Sequence, residues 1–175
     1  MKMKILQLPN PILRQKSLEI QKVDENIRRT LDDMLETMYE ANGVGLAAPQ
    51  VGLLQRMLVI DISAKEEAKQ PLKMINPKMV WHSDEIQTCS EGCLSIPNQF
   101  APVERYQSVR IEYLDENGQP QNLIASDFLA VAVQHEMDHL DGIIFIDHIS
   151  ALRRNLLLKR HEKQLRKKSK EEGEN

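Results

Sequence analysis

Gln134-His135-Glu136-Met137-Asp138-His139 constrains this chain more than any other stretch. Two histidines four residues apart lie on one face of a helix, one above the other, where a single divalent ion can take both. Glu136 follows the first of them, within reach of a water activated at that ion. This H-E-x-x-H arrangement puts two ligands and a general base in five residues. The surrounding sequence predicts the helix. Ser126 is a candidate N-cap, Asp127 suits the first turn, and Gly142 is a plausible stop. Phe128, Leu129, Val131, Ala132 and Val133 are apolar almost all round, so the helix should be buried.

Two ligands do not complete a site. A longer zinc-peptidase pattern continues H-x-x-G-x-x-H. The chain follows it through Gly142 and then carries Phe145 where the third ligand would stand. The strongest replacement is Cys93, in Glu91-Gly92-Cys93-Leu94-Ser95, because a thiolate suits zinc or ferrous iron. Three protein ligands leave a position open for water, which is the catalytic pattern. Cys89 lies four residues earlier without the usual C-x-x-C spacing and reads as a small buried residue. Gly43-Val44-Gly45-Leu46-Ala47-Ala48-Pro49-Gln50 would let a backbone approach closely, and Gln50 is its one polar side chain. The same stretch also reads as a plain glycine turn before a strand. No Lys-Ser/Thr follows, so it is not a phosphate loop.

At 175 residues the chain fits one domain, expected over 1–168 with a disordered tail over 169–175. No apolar run is long enough to span a membrane, and the first residues lack a signal-peptide core, so a cytoplasmic protein is expected. Two cysteines are too few for a disulfide scaffold. Nine basic residues and one acid lie between Arg153 and Lys170, so the net charge of −3 hides a basic tail on an acidic body. Such a tail suggests an anionic partner.

The remaining pattern is read in chain order. Residues 1–23 form an irregular lead-in whose Leu8, Ile12 and Leu13 dock on the body. A helix starts at Asp24 and ends at Asn42-Gly43, with Ile27, Leu31, Met34, Leu35, Met38 and Tyr39 as its apolar stripe. Strands are expected over 57–62, 73–75 and 78–82, with an exposed loop over 63–71. Residues 109–114 and 121–125 make a hairpin around Asp115-Glu116-Asn117-Gly118. A short strand over 143–146 should precede a last helix, capped by Ser150 and running to about Lys168. Leu152, Leu156, Leu158 and Leu165 are its expected partly buried residues.

The Gly43–Gln50, Glu91–Ser95 and Gln134–His139 motifs stand in the order and approximate spacing of bacterial peptide deformylases, which the chain resembles from about Leu6 to the last helix. The resemblance implies an α+β fold with antiparallel β-sheets surrounding the H-E-x-x-H helix and a C-terminal helix. It implies hydrolysis of the N-formyl group of formyl-methionyl nascent chains, with release of formate. The implied metal ligands are Cys93, His135 and His139. Glu136 is the implied acid/base, and Gln50 with the Leu94 backbone N–H holds the oxyanion. Substrate contacts are expected at Gly43, Val44, Gly45, Glu91, Phe128, Val131 and Ala132. The implied cofactor is one divalent ion, ferrous iron (Fe2+) first, with zinc, nickel or cobalt as alternatives. A monomer is expected, with ribosome contact through the basic C-terminal helix. Phe100 departs from the pattern, since many members carry an arginine there. Two rivals stand beside this reading: a metallopeptidase on the same helix, and a metal-stabilised module that binds the ribosome without catalysis.

Overall fold

Asp24 opens the first helix, α1 (Glu25–Glu40), by accepting the Ile27 N–H at 3.0 Å. Ile27, Leu31, Met34 and Met38 recur at helical spacing and are buried, as the stripe predicts. The helix closes at Asn42, whose φ of 56° is the left-handed conformation that ends a helix. Asn42 takes that conformation in place of the neighbouring Gly43. In this computed structural model residues 1–64 and 67–173 are described, the side chains of 172 and 173 excepted. Lys65 and Glu66 of the expected loop, and residues 174–175 of the expected tail, lie outside them.

Five antiparallel strands form the larger sheet. In chain order they are β1 (Gly45–Ala47), β2 (Met57–Ile60), β3 (Leu72–His82), β6 (Ser108–Leu114) and β7 (Pro120–Ser126), and they are neighbours in that order. A second sheet is the hairpin of β4 (Ile86–Cys93) and β5 (Ile96–Tyr106). Every residue of β2 is buried because the large sheet is covered on both faces. Met57 and Val59 pack with α1, whereas Leu58 and Ile60 pack with α2 (Asp127–Leu140). This second helix lies against strands of both sheets. A third core joins Leu8, Leu13, Ile96, Val103 and Phe145 to Leu157 of α3 (Ala151–Gly173).

The expected hairpin is present with Val109 opposite Ala125 and Leu114 opposite Pro120. The Asp115 carboxylate shapes its turn by accepting the Asn117 and Gln119 N–H groups, each at 2.9 Å. The expected strands at 73–75 and 78–82 are one strand, β3, interrupted at Asn76. That residue has a φ of 51°, and its side chain exchanges two 2.8 Å hydrogen bonds with the Ile20 backbone.

Four expectations need correction. Residues 145–148 form a 3-10 turn instead of a strand, because Asp147 caps the Ile144 N–H at 2.9 Å. Ser126 holds the N-cap position but makes no capping bond; its hydroxyl is shared with Ser108 at 2.8 Å. Helix α3 runs to Gly173, past its expected end near Lys168. A Glu162–Arg166 pair one turn apart and a Ser169 hydroxyl donating to the Leu165 carbonyl support that extension. The buried face of α3 is only in part the expected one: Leu158 and Leu165 are half-buried as expected, but the other two leucines are not. Leu157 and His161 are buried, while Leu152 is 71% exposed and Leu156 is exposed. His161 Nε2 lies 2.8 Å from the Leu8 carbonyl oxygen and ties α3 to the start of the chain.

Leu157→Ala should therefore lower stability by about 2–5 kcal/mol, whereas Leu152→Ala should change it by less than about 0.5 kcal/mol. Urea denaturation of the two variants checks this. Equal losses would mean that the register of α3 on the core is wrong.

Candidate active site

The site begins with polar residues on a buried helix. His135, Glu136 and His139 are all buried on α2, and each needs a reason to be there. Cys93 ends β4 and approaches from the second sheet, its sulfur 3.3 Å from His139 Nε2. One donor atom from each of Cys93, His135 and His139 lies within 4.8 Å of the others. These are the three residues expected as ligands, and among the described residues no other group of this kind is found. Cys89 is half-buried, against the expectation of a buried residue, and its sulfur contacts the Ser90 carbonyl. Its sulfur is not among the donor atoms that converge at the cluster.

His135 is oriented by Glu91. Its Nδ1 lies 2.8 Å from Glu91 Oε1, which fixes the proton there and leaves Nε2 as the free donor. Arg105 grips the same carboxylate with two bonds, Nε to Oε2 at 2.8 Å and Nη2 to Oε1 at 2.9 Å. Its third nitrogen, Nη1, reaches Asp138 at 2.6 Å, back on α2. Burial alone would raise the Glu91 pKa, but the Arg105 and His135 hydrogen bonds outweigh it and bring it down to about 2. Glu91 was expected among the substrate contacts. Its side chain is buried with both oxygens engaged by Arg105 and His135, and the residue also lines the cavity. Arg105 was not singled out from the sequence. The one available signal was an arginine at an inward position of an alternating strand.

Burial works against a charged His135, but its interactions with Cys93 and Glu91 win and hold its pKa well above the ordinary value, so a metal taken at Nε2 would displace a proton there. Burial and the neighbouring His135 charge push His139 well below it, toward the neutral imidazole that binds metals. Phe145, in the position a third histidine would take in a zinc peptidase, stacks behind the His135 ring with centroids 6.1 Å apart.

Glu136 and Gln50 complete the site. A Cβ on residue 45 would come within 2.3 Å of Glu136 Oε1, so glycine there leaves room for the carboxylate. Glu136 Oε2 is buried without a hydrogen-bond partner among the described residues, and burial raises its pKa to about 7. That value suits a group that both takes and gives a proton near neutrality. Gln50 is 1% exposed. Its Oε1 accepts the Ala47 N–H at 2.9 Å, which turns its NH₂ toward Cys93 Sγ at 3.4 Å and Ser95 Oγ at 3.2 Å.

A cavity of about 530 Å³ opens over these groups. Gly43, Val44 and Gly45 line one side, and Phe128, Val131 and Ala132 of α2 another. Leu94 lies at the turn between β4 and β5, its side chain so close to Gly43 that a Cβ there would sit 2.7 Å from Leu94 Cδ1. The donor set fits a metal: a sulfur and two imidazoles converge, one imidazole pre-oriented, beside a carboxylate with an unsatisfied oxygen. The peptidase rival wants a histidine where Phe145 stands, and the purely structural rival does not account for Gln50 and Glu136 beside three converging donors.

Comparisons with known proteins agree. A family model described as polypeptide deformylase matches residues 2–155. The peptide deformylase of Rhizobium meliloti is 50% identical over 156 residues, covering 89% of this chain and 90% of that protein. That of Agrobacterium fabrum is 50% identical over 161 residues, covering 92% and 95%. The crystal structure of peptide deformylase from Ehrlichia chaffeensis superposes with a TM-score of 0.92 at 37% identity, covering 96% of this chain and 99% of that one. The chain belongs to the polypeptide deformylase family and is an enzyme that removes the N-formyl group from nascent peptides.

Proposed function

We propose that Cys93, His135 and His139 hold one divalent metal, that Glu136 moves the proton, and that Gln50 and the Leu94 backbone N–H hold the oxyanion. The observation that carries this reading is the convergence of three metal donors, a buried Glu136 carboxylate and the Gln50 NH₂ on one cavity. When bound, the metal supplies Lewis acidity that brings the pKa of a water close to neutrality. Glu136 takes a proton from the attacking water as its oxygen bonds to the formyl carbon, and returns it to the leaving amine as the formyl C–N bond breaks, so formate and a free N-terminus result. Gln50 and Leu94 donate to the formyl oxygen as it gains charge; one such donor contributes roughly 3–4 kcal/mol to lowering the barrier. Glu91 and Arg105 act through His135 by keeping its Nε2 on target. The methionine side chain lies among Val44, Phe128, Val131 and Ala132, with the peptide along the backbone of Gly43 and Gly45.

We assign ferrous iron as the native metal. A thiolate with two imidazoles suits it, and the same donors accept zinc, nickel or cobalt. On this reading the enzyme is a cytoplasmic monomer; among the described residues no helix is long and apolar enough to cross a membrane. The exposed basic residues of α3, including Lys159, Lys163 and Lys167, support docking on ribosomal RNA.

Glu136→Gln should keep the metal and the fold while lowering formate release from a formyl-methionyl peptide by at least ~10². Near-normal turnover, or loss of the metal, would contradict the role assigned to Glu136. Replacing Lys159, Lys163 and Lys167 together by glutamate should leave free-peptide hydrolysis intact and abolish co-sedimentation with ribosomes. The unmodified enzyme should release from ribosomes as salt rises. Sedimentation that ignores both salt and the triple substitution would rule out α3 as the anchor.

A further inference from the structure

The hydrogen bonds that orient His135 extend to the protein surface. Asp138 Oδ2, which accepts Arg105 Nη1 at 2.6 Å, also meets His148 Nε2 at 2.7 Å. The His148 side chain is 35% exposed, whereas those of Arg105 and Glu91 are each 4% exposed. A carboxylate paired with arginine is ionised and can only accept, so the His148 proton sits on Nε2. Arg105 Nη1 lies 3.3 Å from that nitrogen. Two donors therefore share one carboxylate oxygen.

The turn that carries His148 is itself fixed. Asp147 caps the Ile144 N–H and pairs with Arg14 from the start of the chain. Phe145, three residues before His148, stacks on the His135 ring. The 145–148 turn thus reaches one metal ligand twice. One contact is ring against ring; the other runs through His148, Asp138, Arg105 and Glu91 to His135.

A lone ion pair at the surface contributes little, because water replaces either partner. This pair differs in what hangs on its acceptor. Asp138 is 22% exposed, and without His148 its carboxylate can turn out to water. The buried Arg105 would then lose the acceptor of Nη1, and only Glu91 would hold its guanidinium. His148 opposes that motion by holding the same oxygen in place.

We infer that His148 is a positioning residue for the metal ligand His135: its Nε2–H fixes Asp138, Asp138 fixes Arg105, and Arg105 fixes the Glu91 carboxylate that aims the imidazole. This rests on the metal site assigned to Cys93, His135 and His139. Loss of a direct partner of a metal-binding histidine weakens the metal by roughly 10–100-fold. His148 stands further along the chain of bonds, so its loss should cost less.

The test loads the protein and its His148→Phe and His148→Gln variants with Co2+. Dissociation constants come from competition with a chelator, followed by the thiolate-to-cobalt absorption band. His148→Phe keeps a ring without a donor, and His148→Gln keeps an N–H donor without the ring. His148→Phe should weaken Co2+ binding about three- to tenfold, and His148→Gln should stay within about twofold of the unmodified protein. In an Asp138→Ala background His148→Phe should cause no further loss, since the two residues act as one unit. Unchanged affinity in His148→Phe would overturn the inference. So would equal losses in the Phe and Gln variants, or a loss that persists undiminished without the Asp138 carboxylate, since either means that the ring acts by packing. If Asp138→Ala does not fold, the Phe and Gln variants decide between these outcomes. Absence of the thiolate band in the unmodified protein would instead sink the metal site itself.

Discussion

The structure depends on satisfying polar groups on a helix that is buried nearly all round. Gln134, His135, Glu136 and His139 of α2 are all out of water. Each such group is costly unless a partner is supplied. Gln134 is met by the Tyr106 backbone, accepting its N–H at 3.1 Å and donating to its carbonyl at 2.9 Å, which joins α2 to β5. His135 is met by Glu91, Glu91 by Arg105, and Arg105 by Asp138 on the next turn of the same helix. The chain of bonds leaves α2, crosses the second sheet and returns. On α2 the buried atoms left without a partner are Glu136 Oε2 and His139 Nδ1; elsewhere among the described residues Ser17 Oγ and His161 Nδ1 are also without one. The two on α2 belong to residues that the proposed chemistry uses.

The buried Glu91–Arg105 pair is better explained by orientation than by net stability. Replacing such a pair with packed apolar residues is often neutral or stabilising, while removing one partner costs about 3–5 kcal/mol. An apolar replacement would fill the space but leave His135 Nδ1 without an acceptor. Its tautomer, and so the nitrogen offered to the metal, would no longer be fixed. Gln50 is held by the same logic: the Ala47 N–H takes its oxygen, and its NH₂ is left to face the cavity. In both cases a backbone or charged neighbour turns a symmetrical-looking side chain into a directed one.

Much of this was legible in the chain. The histidine spacing placed both ligands on one helix face. The failure of the peptidase pattern at Phe145 pointed to Cys93, and the Asp24 cap and the hairpin around Gly118 were read from local signals alone. The β4–β5 hairpin was not. Two inward positions of β5 are Gln99 and Arg105, and the buried position of β4 is Glu91, so the apolar alternation that marks a strand is cut down to Ala101 and Val103. Those polar residues are inward because they serve the site or its surroundings, which is where pattern reading should fail. The buried face of α3 was read only in part: Leu158 and Leu165 are half-buried as expected, but the docking is set by Leu157 and His161 against Leu8 from the far end of the chain. No local period records that contact.

The central claim is that one sulfur and two imidazoles make the metal site. X-ray absorption spectroscopy of metal-loaded protein purified without oxygen tests it most directly. The account predicts one sulfur and two imidazole nitrogens in the ligand shell, with Cys93→Ser removing the sulfur and Cys89→Ser leaving it. A shell without sulfur, or with two, would contradict it.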